Sequence, residues 1–228
     1  MQIVVENLSK SFSGVSVLNN INIKMESGKI YGLNGKNGSG KTMLMRAICG
    51  FITPSSGRVI IDGDILGKEI SFPKSIGVLI ENPGFIAGYS GYKNLKILAD
   101  IQGKITDVEI KNAIREVGLN PDDKKKYKKY SLGMKQKLGI AAAIMENPDI
   151  IILDEPLNGL DESSVNSIKV ILHTYRDNGG LIIITCHDRE ELEFISDEIF
   201  FIENGSIINK TSFIERDLNS DDKDNENE

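Results

Sequence analysis

The stretch Gly35-Lys36-Asn37-Gly38-Ser39-Gly40-Lys41-Thr42 decides the fold. Before it, Lys29-Ile30-Tyr31-Gly32-Leu33 reads as a strand; after it, Thr42 to Cys49 places apolar residues at helical spacing. A strand, a glycine-rich turn ending in Gly-Lys-Thr and a helix, in that order, make a phosphate-binding loop. Glycines let backbone N–H groups turn inward around phosphate oxygens, because no Cβ blocks the approach. The helix that starts there adds the positive end of its dipole. In such a loop Lys41 reaches the β- and γ-phosphates, and the Thr42 hydroxyl ligates Mg²⁺.

Residues 150–155 read Ile-Ile-Ile-Leu-Asp-Glu, an apolar strand ending in two carboxylates. Beside a phosphate loop, Asp154 is placed to hold Mg²⁺ directly or through water. Glu155 is placed to polarise an attacking water, as general base or positioning group. His187 follows the predicted strand Leu181–Thr185, at the end where open α/β sheets gather ligands, so its imidazole is a candidate γ-phosphate partner. His173 falls within a predicted helix and reads as structural.

Around these landmarks, residues 2–6, 20–25, 29–33 and 57–62 read as strands, with turn signals at Ser55-Ser56-Gly57 and Gly63-Asp64, and Ser75 to Ile80 is another apolar run. From Gly91 to about Met145 the pattern is mostly helical, with helices expected at Asn94–Ile101 and Asp107–Val117. Strand (149–153), helix (161–176), strand (181–185), helix (188–195) and strand (198–203) follow, then a return through Asn204-Gly205. This alternation implies a mostly parallel sheet covered on both faces, with the helical stretch inserted on one side.

The chain has 228 residues, 40% hydrophobic and 26% charged, an ordinary soluble-domain composition able to bury a core without staples. Its two cysteines, Cys49 and Cys186, suggest neither a disulfide framework nor a metal motif. The net charge is −6, and Glu215 to Glu228 holds seven acids and two bases. The remainder is nearly balanced, without the basic field of a nucleic-acid binder. Met1 to Glu6 reads as an immediate first strand rather than a signal peptide. No apolar run approaches the roughly 18–20 residues that span a bilayer, so work at a membrane would need spanning helices from another chain.

Taken together, these residues resemble the ATP-binding subunits of ABC transporters, over about Ile3 to Lys210. Tyr130-Ser131-Leu132-Gly133-Met134-Lys135-Gln136 stands where that family carries its Leu-Ser-Gly-Gly-Gln signature. The resemblance implies a P-loop NTPase of ABC type: an α/β fold with a mostly parallel central sheet flanked by helices. An N-terminal antiparallel β part and an inserted helical subdomain complete it. The expected domain covers residues 1–214, with the insertion at about 83–145, and an acidic, disordered tail at 215–228.

Its implied function is Mg-ATP binding and hydrolysis coupled to transport through a separate polytopic permease. Two such subunits, identical or closely related, would stack head to tail, each ATP lying between one phosphate loop and the other chain's signature. Ser131 and Gly133 would then contact the γ-phosphate in trans; Ser131 also reads as a plain helix N-cap. Phe12 matches the adenine-stacking aromatic, with Val17 beside it, and Met43 closes the nucleotide-contacting run Gly35 to Met43. Glu81 falls where relatives carry a glutamine that touches Mg²⁺ and the attacking water. Asp161, in Asn158-Gly159-Leu160-Asp161, matches a loop crossing the dimer interface and can also cap the next helix. His187 matches a switch histidine.

The chain departs from the family at Lys36, Met43, Leu132, Met134 and Glu81; by the resemblance, the last would add a negative charge near the metal if its side chain points there. With Leu79 to Phe85, the signature resembles ATPases of bacterial peptide-antibiotic exporters, including bacitracin-resistance and lantibiotic-immunity systems. The expected place is the cytoplasm, peripheral on the inner face of the membrane through the permease. No nucleic acid is expected. A different reading is a soluble ABC-type ATPase acting on ribosomes or nucleic acid. Two surfaces stay open: Lys124 to Lys129, either a solvated edge or a contact with anionic groups, and residues 82–96. There Phe85, Ile86, Tyr89 and Tyr92 either dock the permease or pack within the insertion.

Overall fold

The computed structural model of the chain describes residues 1–81 and 84–213. The acidic tail at 215–228, and Asn82 and Pro83 within the candidate permease contact, lie outside the described residues.

A four-stranded antiparallel sheet takes the order β2-β1-β4-β5. Its strands are β1 (Gln2–Phe12), β2 (Val15–Glu26), β4 (Ser56–Ile61) and β5 (Asp64–Ile65). Both long strands exceed the expected 2–6 and 20–25. Asn7 and Asn20 take left-handed φ of 48° and the pairing register shifts between Val5 and Leu8, so bulges break the alternation that marks a strand in sequence. Ser13-Gly14 and Asp62-Gly63 carry the paired positive φ angles of type I′ hairpin turns. The second turn is therefore Asp62-Gly63, one residue earlier than Gly63-Asp64.

The second sheet runs β10-β9-β3-β8-β7-β6. β3 (Lys29–Asn34), β6 (Ile76–Leu79), β7 (Ile150–Leu153), β8 (Leu181–Thr185) and β9 (Glu198–Glu203) are parallel to their partners; β10 (Ser206–Ser212) returns antiparallel through Asn204-Gly205. Alternate residues face two cores. Ile30, Ile151, Ile182 and Ile199 face the layer holding α4 (Leu132–Ile144), α5 (Glu162–Asp177) and α6 (Arg189–Ile195). Tyr31, Ile152, Ile183 and Phe200 face α1 (Lys41–Ile48) and the antiparallel sheet. α1 is thus clamped between two sheets by buried Leu44, Met45, Ala47 and Ile48. Each large aliphatic group so buried contributes roughly 1.5–3 kcal/mol. That anchorage fixes the loop at its N-terminus.

The insertion contains α2 (Gly91–Gln102), α3 (Asp107–Glu116), a 3-10 turn at Tyr127–Lys129 and the start of α4. Thr106 and Glu109 form a capping box at α3. α4 leaves the insertion and ends on β6 and β7, so it belongs to both parts. Of the open surfaces, Phe85 meets the buried Tyr127 edge-on at 5.2 Å, and Tyr92 packs on the same core, both inside the insertion. Ile86 stays exposed, its backbone pinned by the Asn94 side chain. The lysines of 124–129 are exposed around the buried Tyr127, which anchors the segment.

Candidate active site

β3, between β8 and β9, ends at Asn34 and delivers Gly35 to Gly40 to the carboxyl edge of the parallel sheet. Gly38 and Gly40 take φ of 78° and 112°, which only glycine adopts readily. A Cβ on Gly35 would lie 2.3 Å from the Ile202 carbonyl oxygen, and one on Gly40 2.9 Å from that of Val17. The loop is thereby wedged between β2 and the β9–β10 hairpin, whose Gly205 N–H donates to Ser39 O at 2.9 Å. No side chain caps the first turn of α1, which leaves the positive end of the helix at the loop open to an anion. Lys41 Nζ folds back onto the carbonyl oxygens of Gly35 (2.5 Å) and Lys36 (3.2 Å). Ser39 Oγ is buried without a hydrogen-bond partner, an orphaned group that a phosphate oxygen would satisfy.

β7 delivers the carboxylates. Thr42 Oγ1 donates to Asp154 Oδ2 at 2.7 Å, and the fully buried Thr185 donates to Asp154 Oδ1 at 2.6 Å. These hard oxygens fit Mg²⁺. Glu155 takes a left-handed φ of 51°, a strained backbone for a non-glycine residue. Three neighbours hold it there: its N–H donates to Thr185 Oγ1 (2.8 Å), and its carbonyl accepts from Gln136 (2.8 Å). Its carboxylate accepts from Asn158 (2.7 Å). His187 Nε2 lies 2.9 Å from the same carboxylate oxygen. The structure therefore joins Thr42, Asp154, Glu155 and His187 through one network, while Lys41, next to Thr42 in the chain, bonds to the loop carbonyls.

Glu81, at the end of β6, also has a left-handed φ (61°), and its carboxylate is 2.5 Å from Arg46 of α1. Phe12 stands at the β1–β2 hairpin tip, partly exposed, with Lys10 Nζ 4.7 Å from its ring centroid. Val17 lies on the same hairpin, its carbonyl oxygen against the phosphate loop. Ser131 caps α4, accepting from Met134 N at 3.2 Å. A Cβ on Gly133 would lie 2.9 Å from the Gly159 carbonyl oxygen, so the signature start rests on the loop after β7. Asp161 caps α5, accepting from Ser163 Oγ and Ser164 N, which hold its carboxyl well below the usual carboxylate range. Its capping role is thus present in the single chain. Among the described residues, no hydrogen bond joins Ser131 or Gly133 to the phosphate loop.

Four supporting residues escaped the sequence reading: Thr185, Gln136 and Asn158 as holders of the carboxylate pair, and Arg46. Thr185 had a signal, as the one hydroxyl closing an otherwise apolar strand. Neither His173 nor the cysteines join the site. Burial and the neighbouring Arg176 lower the His173 pKa, keeping it neutral, and burial pushes the Cys49 thiol up to about 12.

Residues 18–158 match the ABC transporter family. An uncharacterized ABC transporter ATP-binding protein of Bacillus subtilis is 45% identical, the match covering 90% of this chain and 94% of that one. A bacitracin transport ATP-binding protein of Enterococcus faecalis is 40% identical, over 93% of this chain and 70% of its own. A lantibiotic transport ATP-binding protein of Streptococcus pyogenes is 36% identical, over 90% and 88%. Among solved structures, the ATP-binding subunit of an ABC transporter superposes with a TM-score of 0.83 at 25% identity, over 93% and 90% of the two chains. A dimeric ATP-binding cassette bound to ADP and Pi superposes at 0.85 with 18% identity, over 94% and 100%, and speaks to fold alone.

Proposed function

The chain belongs to the ABC transporter family as an ATP-binding subunit, and from that premise we propose that it drives export of a peptide antibiotic or similar amphiphile through a separate permease. The observation that carries the ATPase chemistry is the Thr42–Asp154–Thr185–Glu155–His187 network at the mouth of the phosphate loop. The export reading rests on the relatives, two of which are named for bacitracin and lantibiotic transport.

In this reading the loop N–H groups, Ser39 and Lys41 bind the ATP phosphates, and Phe12 stacks on the adenine with Val17 beside it. Thr42 and Asp154 would hold Mg²⁺, which would supply charge neutralisation at the phosphate oxygens. Glu155 accepts the proton of the attacking water at a carboxylate oxygen while His187 and Asn158 fix that carboxylate. A second ATPase chain, identical or related, supplies Ser131 and Gly133 across a head-to-tail interface. The dimer closes because the closed form has the higher affinity for ATP, and reopens on product release. Among the described residues, no helix is long and apolar enough to cross a membrane. We place the protein peripherally on the cytoplasmic face, held by its permease.

The test is purification of a tagged Glu155→Gln variant from detergent-solubilised membranes of its own cells with Mg-ATP present. The variant keeps ATP bound and slows hydrolysis, roughly 100-fold or more for a lost general base. A stoichiometric polytopic membrane protein in the eluate is the expected result. Recovery only from the soluble fraction, bound to ribosomes or nucleic acid, would overturn the transport reading and leave the ATPase chemistry standing.

A further inference from the structure

Arg46 carries a charge that the mechanism above does not use. It lies one turn beyond Thr42 on the same face of α1, and its guanidinium is 2.5 Å from Glu81 Oε1. The two side chains are 33% and 62% exposed, and an ion pair this open adds little to stability. Its effect is on where charge sits.

Glu81 follows β6, the edge strand beside β7. The Asp154 N–H donates to Leu79 O at 2.7 Å, which ties the end of β6 to the metal-binding end of β7. Among the described residues, Asp154, Glu155 and Glu81 are acids at this edge and Asp188 follows His187; the permanent cations are Lys41, Arg46 and, exposed in the phosphate loop, Lys36. Lys41 folds onto the phosphate loop, and Arg46 faces Glu81. Without Arg46, a polyphosphate entering the loop would meet an unbalanced third carboxylate. The left-handed backbone at Glu81 directs that side chain toward α1 at some cost in strain.

We propose that Arg46 is a positioning residue: it holds and neutralises Glu81, so that an acid can stand beside the ATP site without repelling the nucleotide. The inference rests on the assignment of the phosphate loop to ATP. Arg46 couples the edge strand to α1, the helix whose N-terminus receives the phosphates.

The test compares Arg46→Met, Glu81→Gln, the double variant and Arg46→Lys by titration with a fluorescent ATP analogue, in EDTA and across a Mg²⁺ series. In EDTA, Arg46→Met should weaken binding about tenfold, as expected for an uncompensated charge several ångströms from the phosphates. It should also steepen the Mg²⁺ dependence, because the freed carboxylate attracts the cation. In EDTA, Glu81→Gln should bind at least as tightly as the unaltered chain because it removes the acid, the double variant should match it, and Arg46→Lys should recover most of the affinity. Thermal midpoints should stay close to that of the unaltered chain. An equal loss from Arg46→Met whether or not Glu81→Gln is also present would overturn the proposal, since Arg46 would then act on the nucleotide itself. So would no loss in either case. Lys41→Ala in the same titrations checks the ATP assignment separately, so a flat response to Arg46→Met counts against the pair alone.

Discussion

At the residue scale, the site is a set of groups whose partners are protein atoms that ATP would replace. Lys41 is the clearest case. Its ammonium donates to two loop carbonyls, Gly35 and Lys36, and can exchange these neutral acceptors for charged phosphate oxygens, which bind a cation more strongly. Hydrogen bonds to charged groups are worth about 1.5–3 kcal/mol each, so Lys41→Ala should weaken ATP binding roughly 10- to 100-fold. Equilibrium titration with a labelled nucleotide checks this; unchanged affinity would remove the loop from the site. Lys41, Asp154 and Glu155 are legible in the sequence because each is tied to a local pattern: a glycine-rich turn, or an acid pair closing an apolar strand. Gln136 and Arg46 are not, because their roles exist only through contacts made across the fold, 19 and 35 residues from their partners, and Asn158, three residues from Glu155, meets it only through the turn that follows β7. Glu81 was legible as a position but not as half of an ion pair.

At the element scale, caps and turns carry most of what the sequence discloses. Asp161, Asp188 and Thr106 each stop the preceding chain and start a helix with a side-chain oxygen, and Asn204-Gly205 makes its turn where expected. Bulged β1 and β2 were only partly legible, because an extra residue inverts the inside–outside alternation that the sequence displays. Close packing between elements is likewise silent in sequence. Gly77 of β6 is the sharpest example: a Cβ there would lie 1.8 Å from the Ala143 carbonyl oxygen of α4. Neither backbone can turn aside as a side chain would, so Gly77→Ala must push α4 off the sheet. The expected cost is about 1–3 kcal/mol or more, read as a lower urea midpoint. Gly88→Ala is the control, since nothing lies within 4 Å of its Cβ position, and it should change stability by no more than about 0.5 kcal/mol. Equal midpoints for the two variants would show that α4 does not rest on β6 as described.

At the scale of the whole molecule, the proposed function gives the chain both halves of an ATP site, and the single chain does not join them. The phosphate loop sits at the end of β3, while Ser131 opens α4 and, among the described residues, accepts only from its own first turn. In the proposed closed, twofold-symmetric pair of identical chains, each half would meet its counterpart on the other chain, making two equivalent sites from two copies. This arrangement has a consequence that a single-chain site lacks. Lys41→Ala disables the loop of its own chain, and Ser131→Arg blocks the signature with a bulky cation. Each variant alone spoils both sites of its dimer and should be inactive. In a mixed dimer the two defects fall in the same composite site, leaving the other assembled from an intact loop and an intact signature. Mixing the inactive proteins in equal amounts should therefore restore phosphate release. Random pairing makes about half the dimers mixed, each with one working site of two, so roughly a quarter of wild-type activity is expected if the sites act independently. The restored activity should rise with total protein concentration, as association requires. A mixture as inactive as its components, at concentrations where the unaltered protein dimerises, would mean either that Ser131 serves its own chain's ATP or that both sites must work together. Titrating each variant with an excess of unaltered protein separates the two, because strictly coupled sites would make both variants dominant inhibitors.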